Sequence, residues 1–266
     1  MNIIVCVKQV PDPEAPPSGF RIEPKTNTVV PPPGFPPVIS TFDEYAVEAA
    51  LRIKDVQGGK ITIISLGVNL LREVVKKPVS MGADELILLE DPAFVDGDSW
   101  STAYALAVAI KKVAIFDLIL CGRQASDWDG GQVGSGIAEI LELPQVTMAR
   151  RIEAVGGKVR VDRVTGYGYE TVETGIPVLI TVSNELGKPR YPNIKGIVAA
   201  KNKQPLVWTP ADLGLDPVKI GAAGRRTKIQ KLFQPVHESK CEMVTGTDDV
   251  ESGANLAQKI AQAKLL

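Results

Sequence analysis

What this chain has little of narrows the field first. Among 266 residues there is one histidine, His237, and there are three cysteines, Cys6, Cys121 and Cys241, far apart and without a C-x-x-C pair. A zinc site or a thioredoxin-like redox pair therefore has no ligands to draw on. An odd, scattered set of cysteines also argues against a disulfide framework and fits a reducing, cytoplasmic setting. Charge of one sign is equally scarce. Thirty Lys and Arg stand against 31 Asp and Glu, a formal net charge of -1, so no global field draws the molecule to nucleic acid or to an anionic membrane. The longest apolar stretch, Tyr104 to Leu120, is interrupted by Lys111, Lys112 and Asp117, which bilayer insertion would penalise. Met1 to Val10 reads as a strand running into Pro11-Asp12-Pro13 with no basic n-region, so no signal peptide is expected. His237, beside Pro235 in a polar stretch, reads as a solvated residue, and nothing resembles a Ser-His-Asp triad or a nucleophile elbow.

What is present is alternation. A hydrophobic content of 44% over this length supports one substantial core. Short apolar runs recur at Ile3 to Val7, Ile61 to Leu66, Leu86 to Leu89 and Leu118 to Cys121, a pattern suited to strands buried on both faces of a parallel sheet. Helical patterns lie between them. Phe42 to Ile53 places Val47, Ala50, Leu51 and Ile53 mostly on one side, with Glu48 and Arg52 as an i,i+4 pair. Asp98-Ser99 opens a second helix running to about Ile115. The fold class predicted for residues 1 to 145 is therefore α/β, a doubly wound, mostly parallel, Rossmann-like sheet with right-handed crossovers.

Residues 11 to 40 hold ten of the twenty prolines and so form neither a regular helix nor a central strand. They read as a stiff excursion with room for a small hairpin. Pro78 should kink or end the helical stretch Leu70 to Met81. After Pro144 the pattern changes: Val146 to Ala154, Gly156-Gly157 and Lys158 to Val164 read as an antiparallel hairpin, and residues 169 to 182 continue as strand. Tyr167 and Tyr169, flanking Gly168, belong to that strand-and-turn texture. From Lys201 to about Glu238 the chain is rich in Pro and Gly with little periodicity, which reads as an extended arm laid over another surface. It ends in a helix, Asp248 to Lys264, with Leu256, Ile260 and Ala263 on one side. Such an arm needs something to grip, which points to a partner subunit.

The segment best suited to carry chemistry runs from Asp117 to Gly136, a strand entering a glycine-rich loop that opens the apolar helix Ile137 to Leu143. Gly130, Gly131, Gly134 and Gly136 remove side chains where backbone N–H groups could approach an anion, and the helix start adds roughly half a positive charge. That suits a pyrophosphate. The other reading is that these glycines only permit a tight turn and close helix-to-strand packing. The spacing is neither G-x-x-x-x-G-K-[ST] nor a clean G-x-G-x-x-G, so neither a P-loop nor the standard dinucleotide fingerprint is supported. Position favours a ligand. The loop must lie at the carboxyl ends of the strands, where Val5-Cys6-Val7-Lys8, Ser40-Thr41-Phe42-Asp43 and Ser65-Leu66-Gly67 converge. An ATP-binding or ATP-hydrolysing α/β module is the alternative, although no Walker Lys or metal-binding carboxylate cluster supports hydrolysis. Residues 1–200 are thus read as one nucleotide-binding α/β domain, including the excursion 11–40 and the hairpin region 145–184, and residues 201–266 as the arm.

Six blocks then occur in order: Val7-Lys8-Gln9-Val10-Pro11-Asp12, Phe42-Asp43-Glu44-Tyr45-Ala46-Val47-Glu48, Met81-Gly82-Ala83-Asp84, Gly122-Arg123-Gln124-Ala125, Gly131-Gln132-Val133-Gly134 and Pro189-Arg190-Tyr191-Pro192. Together they resemble the electron-transfer flavoprotein β family from residue 1 to about residue 240. The resemblance implies a heterodimer whose α subunit holds an electron-carrying FAD, while the β subunit holds AMP or a second FAD and makes or breaks no substrate bond alone. It also implies nucleotide contacts, mostly from backbone, at Cys6, at Ser40, Thr41, Phe42 and Asp43, at Leu66, and along Gly122, Arg123, Gln124, Ala125, Ser126, Asp127, Asp129, Gly130, Gly131, Gln132, Val133, Gly134 and Ser135. The sulfur atoms of Cys6 and Cys121 read as small buried hydrophobes.

Some positions depart from the family pattern. Ser40-Thr41 stands where Asn-Pro is common, and Trp128, which could stack on an adenine or cap the loop, stands where a small or acidic residue is usual. Pro78 interrupts what is usually an unbroken helix. The run Asp127 to Gly134 looks more like members carrying a second FAD than like AMP-binding ones, which favours FAD and brings with it flavin-based electron bifurcation using NADH. No motif for NAD is visible. The resemblance further implies that Asn184 to Pro192 docks on acyl-CoA dehydrogenases or related flavoenzymes, with Leu186 as a protruding anchor and Pro189, Arg190 and Tyr191 beside it. An ordinary surface turn is the plainer reading of that segment, and Gly187-Lys188 replaces the commoner Asn-Glu. Lys195, Lys201 and Lys203 with Arg190 form a basic strip, either a solvated face or a dock for an acidic surface.

Overall fold

A computed structural model describes residues 1–26, 28–235 and 241–265; His237 lies outside them. The chain divides into two compact units, residues 1–230 and 231–266. In the first, β1 (Asn2–Val7) is followed by β2 (Gln9–Val10), the hairpin β3 (Arg21–Glu23) and β4 (Thr28–Val30), and β5 (Val38–Ile39). Because β5 pairs antiparallel with β2, the proline-rich excursion returns to the place it left, and α1 (Thr41–Gln57) starts at the edge of the sheet. Next come β6 (Lys60–Gly67), α2 (Arg72–Val75), α3 (Lys77–Met81), β7 (Glu85–Glu90), α4 (Ser99–Val113), β8 (Leu118–Gly122) and α5 (Val133–Leu141). Then follow β9 (Gln145–Val155), β10 (Lys158–Thr165), β11 (Gly168–Gly175), β12 (Val178–Val182), α6 (Ile194–Asn202), β13 (Leu206–Trp208), α7 (Pro210–Leu213) and α8 (Gly221–Gly224).

The nine-stranded sheet has the order β11-β10-β9-β12-β8-β1-β6-β7-β13. Strands β9, β12, β8, β1, β6, β7 and β13 are parallel, and β10 and β11 add the antiparallel hairpin at one edge. The chain builds outward from β1 through β6 to β7 and then returns to β8 on β1's other side. The order reverses between β1 and β8, and a doubly wound sheet opens its crevice at such a point, at the carboxyl ends of the strands. Side chains alternate across the sheet, so each apolar run feeds two cores. Ile3, Val5, Ile61, Ile63, Leu118 and Leu120 pack under Ala46, Val47, Ala50 and Leu51 of α1. Ile4, Cys6, Ile64, Ile119 and Cys121 pack under Ala103, Leu106, Ile110 and Ile137 of α4 and α5.

Three local outcomes refine the sequence expectations. Around Pro78 the helix breaks in two: α2 ends at Val75, and Pro78 sits in the first turn of α3, where its missing N–H costs no helical bond. Residues 169–182 are not one strand. The charged, alternating β11 stays at the sheet edge, whereas the wholly buried β12 crosses back to lie between β9 and β8. A continuous apolar run belongs in the parallel interior and an alternating one at an edge. Beyond residue 201, β13 joins β7, and Trp208, Leu215 and Ile220 enter the core against α4. Each fills a separate gap, which leaves no period to be read in the sequence. In the second unit, α9 (Asp249–Gln262) is capped by Asp248, and none of its residues is buried.

Candidate functional site

The carboxyl ends of β1 and β8 are tied together by one carboxylate. Asp43, in the first turn of α1, accepts the Lys8 N–H on Oδ2 (2.8 Å) and the Gly122 N–H on Oδ1 (3.1 Å). It is buried, and burial pushes its carboxyl from the usual 3.8 up to about 7, against the opposing pull of the two amides and the Lys8 ammonium; the Asp127 charge adds to the rise. The Lys8 Nζ is itself held by Asp127 in the loop at 2.6 Å. A Cβ on Gly122 would lie 2.5 Å from Asp43 Oδ1 and 2.7 Å from the Phe42 carbonyl carbon, so only glycine lets α1 approach this strand end. Ser40, fully buried ahead of α1, donates its N–H to the Lys8 carbonyl (2.9 Å) and accepts the Ser126 N–H on Oγ (3.3 Å). Thr41 opens α1 and is exposed.

From this floor the loop Gly122–Gln132 rises. Arg123 donates its N–H to the Val182 carbonyl (3.0 Å), and its guanidinium lies 4.7 Å from the centre of the Phe42 ring. The Gln124 amide side chain holds Asp129 (2.7 Å), whose N–H donates to the Ala125 carbonyl (2.9 Å). The four glycines of the sequence expectation divide by role. Gly134 and Gly136 are packing positions: a Cβ would lie 2.9 Å from Thr181 Cγ2 at the first and 2.8 Å from Ala103 Cβ at the second. Gly136 also spends its N–H on the Gln132 carbonyl. Gly130 has nothing nearer its notional Cβ than Ser99 Oγ at 3.8 Å, and Gly131 adopts φ +63°. The amides of Gly130, Gly131, Gln132, Val133, Gly134 and Ser135 find no acceptor among the described residues.

Three buried polar atoms are also unpartnered among the described residues: Arg123 Nε, Ser126 Oγ and Ser65 Oγ. Buried polar groups are ordinarily paired. Open amides, an unspent guanidinium N–H and a hydroxyl beside one loop fit an acceptor-rich group such as a nucleotide phosphate. Cys6 and Cys121 are register neighbours on β1 and β8 and are buried. A hydrogen bond from Cys6, with burial, raises the Cys121 thiol, which suits inert packing. Leu66 is partly buried beside the same core. Trp128 is 56% exposed. Among the described residues there is no cluster of three metal-ligating side chains, and no helix is long and apolar enough to cross a membrane. Two hollows of about 230 and 260 Å³ flank the hairpin strands, and of these the second touches the loop's helix, at Ser135. The first is a trough between charged and polar side chains (Arg151, Glu153, Arg160, Asp162 and Thr171), with no apolar side chain to hold a ring.

The segment expected to dock a partner leaves β12 at the same edge. The expectation of a protruding Leu186 is corrected, because the side chain is only 8% exposed and belongs to the core under α1. Its carbonyl accepts Arg52 Nη1 (2.8 Å), and Arg52 and Arg190 converge on Glu48, whose Oε1 and Oε2 accept their Nε groups at 2.8 Å each. Burial pushes the Glu48 carboxyl up, but the hydrogen bonds from Arg190 and Arg52 outweigh it and hold the group below its usual range. What the segment exposes instead is apolar surface at Tyr191 (93%), Ile194 (83%), Ile197 (54%) and Val198 (56%). Lys188, Lys195 and Lys201 are exposed around it. Thus α1 serves both regions, Asp43 fastening the loop and Glu48 the docking segment.

Sequence reasoning missed Asp98, Trp100, Arg226 and Thr227, which meet beside Ser99 and hence beside Gly130. Asp98 was legible only as a helix cap. Nothing in spacing could pair it with residues about 130 positions on.

Comparison with known proteins gives the family. The family profile described as "Electron transfer flavoprotein domain" matches residues 36–213. The chain is 42% identical to the electron transfer flavoprotein subunit beta of Thermoanaerobacterium thermosaccharolyticum over 98% of both chains. It is 38% identical to the caffeyl-CoA reductase-Etf complex subunit CarD of Acetobacterium woodii over the whole of both. It is 35% identical to protein FixA of Azotobacter vinelandii, covering all of this chain and 94% of that one.

Proposed function

The chain belongs to the electron transfer flavoprotein family, on its β-subunit and FixA side, and from that premise we propose that it is the nucleotide-holding β subunit of a heterodimeric electron carrier. Its α subunit would hold one FAD, and its own loop Gly122–Ser135 an adenine nucleotide, with FAD favoured over AMP. The observation that carries the reading is the row of open amides from Gly130 to Ser135 beside the unspent Arg123 Nε and Ser126 Oγ. The amides would bind phosphate oxygens. Arg123, stacked on Phe42, would orient the ligand, and Asp43 would keep the floor rigid through Lys8 and Gly122. Bound flavin supplies the redox chemistry; the protein supplies position, potential and access.

Docking would fall to the segment Leu186–Tyr191 and the apolar residues that follow it, Ile194 to Val198, with Leu186 acting from beneath as a support. The relative CarD is by name part of a caffeyl-CoA reductase complex, which favours a flavin-dependent CoA-thioester enzyme, the acyl-CoA dehydrogenase class, as the partner. The part of the arm beyond residue 230, and α9 above all, would grip the α subunit, since Val250 (82%) and Leu256 (48%) are exposed on a helix with no buried residue. With a second FAD, NADH-dependent bifurcation becomes the activity to assay.

The test is to purify the chain with its α subunit, record the visible spectrum, and extract and identify the nucleotides. Two FAD per heterodimer supports the favoured form and one FAD plus AMP the simple carrier. A colourless preparation with ATPase activity refutes the proposal in favour of an ATP-using module.

A further inference from the structure

The nucleotide loop by itself carries the wrong charge for its proposed ligand. From Gly122 to Ser135 it holds one cation, Arg123, against two acids, Asp127 and Asp129. The Arg123 guanidinium lies over the Phe42 ring, and Asp129 is held by the neutral Gln124 amide, so neither contact answers the charge of Asp127. The compensating cation comes from outside the loop, at the end of β1. Lys8 Nζ reaches both oxygens of Asp127, at 2.9 Å on Oδ1 and 2.6 Å on Oδ2, and among the described residues no other cation pairs with that carboxylate.

Both partners are fixed in place. The Lys8 backbone is committed to the floor of the site, its N–H to Asp43 Oδ2 (2.8 Å) and its carbonyl to the Ser40 N–H (2.9 Å). Asp127 Oδ1 also accepts the Trp128 N–H (3.0 Å), and the Asp127 side chain is 16% exposed against 44% for Lys8. A carboxylate so shielded acts on its neighbours through little water. The same two charges reach the buried Asp43, whose carboxyl burial raises and Lys8 lowers, Asp127 adding to the rise. Ser126, one residue earlier, hangs by its N–H from Ser40 Oγ and has a buried, unpartnered hydroxyl. Along the chain, Asp127 therefore falls between that hydroxyl and the open amides that begin at Gly130.

We infer that Lys8 is a positioning residue of the nucleotide site, the counter-charge that lets an acidic loop accept phosphate. It acts through Asp127 and not on the ligand: with the ammonium in place, the carboxylate no longer repels the phosphate oxygens that the open amides attract. The inference rests on the reading of the loop as an adenine-nucleotide site.

Lys8→Met keeps the stem, removes the charge and leaves Asp127 unanswered, whereas Lys8→Met with Asp127→Asn removes both charges. The test uses the complex with the α subunit, stripped of nucleotide and titrated calorimetrically at low and high salt with AMP, which carries the adenylate common to AMP and FAD. Lys8→Met should bind AMP about tenfold more weakly than wild type at low salt, and the ratio should narrow at high salt, which screens a bare charge. The double variant should return to within about threefold of wild type. A lysine that only held the loop in shape would give no such rescue, because the second substitution restores no contact. Wild-type affinity in Lys8→Met, a loss that Asp127→Asn does not relieve, or a ratio that salt leaves unchanged each overturns the counter-charge. A wild-type complex that binds no AMP is a different failure: it refutes the loop as an adenylate site, and the counter-charge falls with it.

Discussion

Asp43 offers a measurement that isolates one carboxylate. In the unfolded chain its pKa is near 3.8; in the folded chain burial raises it to about 7. Between those values the folded state binds more protons than the unfolded state, so the Asp43 contribution to stability falls as pH rises from about 4 to about 7. The rise from 3.8 to about 7 corresponds to about 4 kcal/mol over that window. The charged and titratable groups facing it are the Lys8 ammonium, Asp127 and the buried Cys121 thiol. Asp43→Asn removes the titration while keeping the shape. Its single oxygen can accept only one of the Lys8 and Gly122 amides, a loss of about 1–3 kcal/mol that does not depend on pH. Paired urea unfolding of wild type and variant from pH 4 to pH 8 should therefore give a stability difference that moves in the variant's favour by several kcal/mol as pH rises, above a constant offset. A difference that stays flat would mean that the two amides and Lys8 hold Asp43 ionised throughout, and that burial is the weaker effect.

Two further outcomes follow from the other end of α1 and from the surface it supports. Glu48→Ala should cost roughly 2–3 kcal/mol in chemical unfolding, below the range for fully buried pairs because Arg52 and Arg190 are partly solvated. In the wild type this contribution is present above pH 4.5 and is lost as pH falls through the depressed folded value. Ile194→Asp, which places a charge on the exposed apolar patch, should slow electron transfer to a cognate flavoenzyme by about tenfold with bound flavin unchanged; an unaltered rate would remove the patch from the docking surface.

The sequence by itself determined the sheet and its edge. Apolar runs of four to eight residues between amphipathic segments can bury both faces only in a parallel interior, and that alone puts the loop after Leu118 to Cys121 at the carboxyl rim with Lys8 and Asp43. Local signals such as Asp98 before Ser99, the run of prolines, and Gly156-Gly157 between alternating stretches were equally legible, because caps and turns act over a few residues. Tertiary structure decided everything that depends on long-range approach. It made Gly134 and Gly136 packing glycines while leaving the amides at Gly130 and Gly131 open, a distinction set by Thr181 and Ala103 and not by the loop. It buried Leu186, since Arg52 and Arg190 meet on Glu48 and draw the segment inward, and it left Tyr191 and Ile194 outside. It drew Arg226 and Thr227 onto Asp98 across about 130 residues. Pairings of that kind depend on shape and on which donors remain unsatisfied after the sheet has formed, and neither property resides in any short stretch of chain.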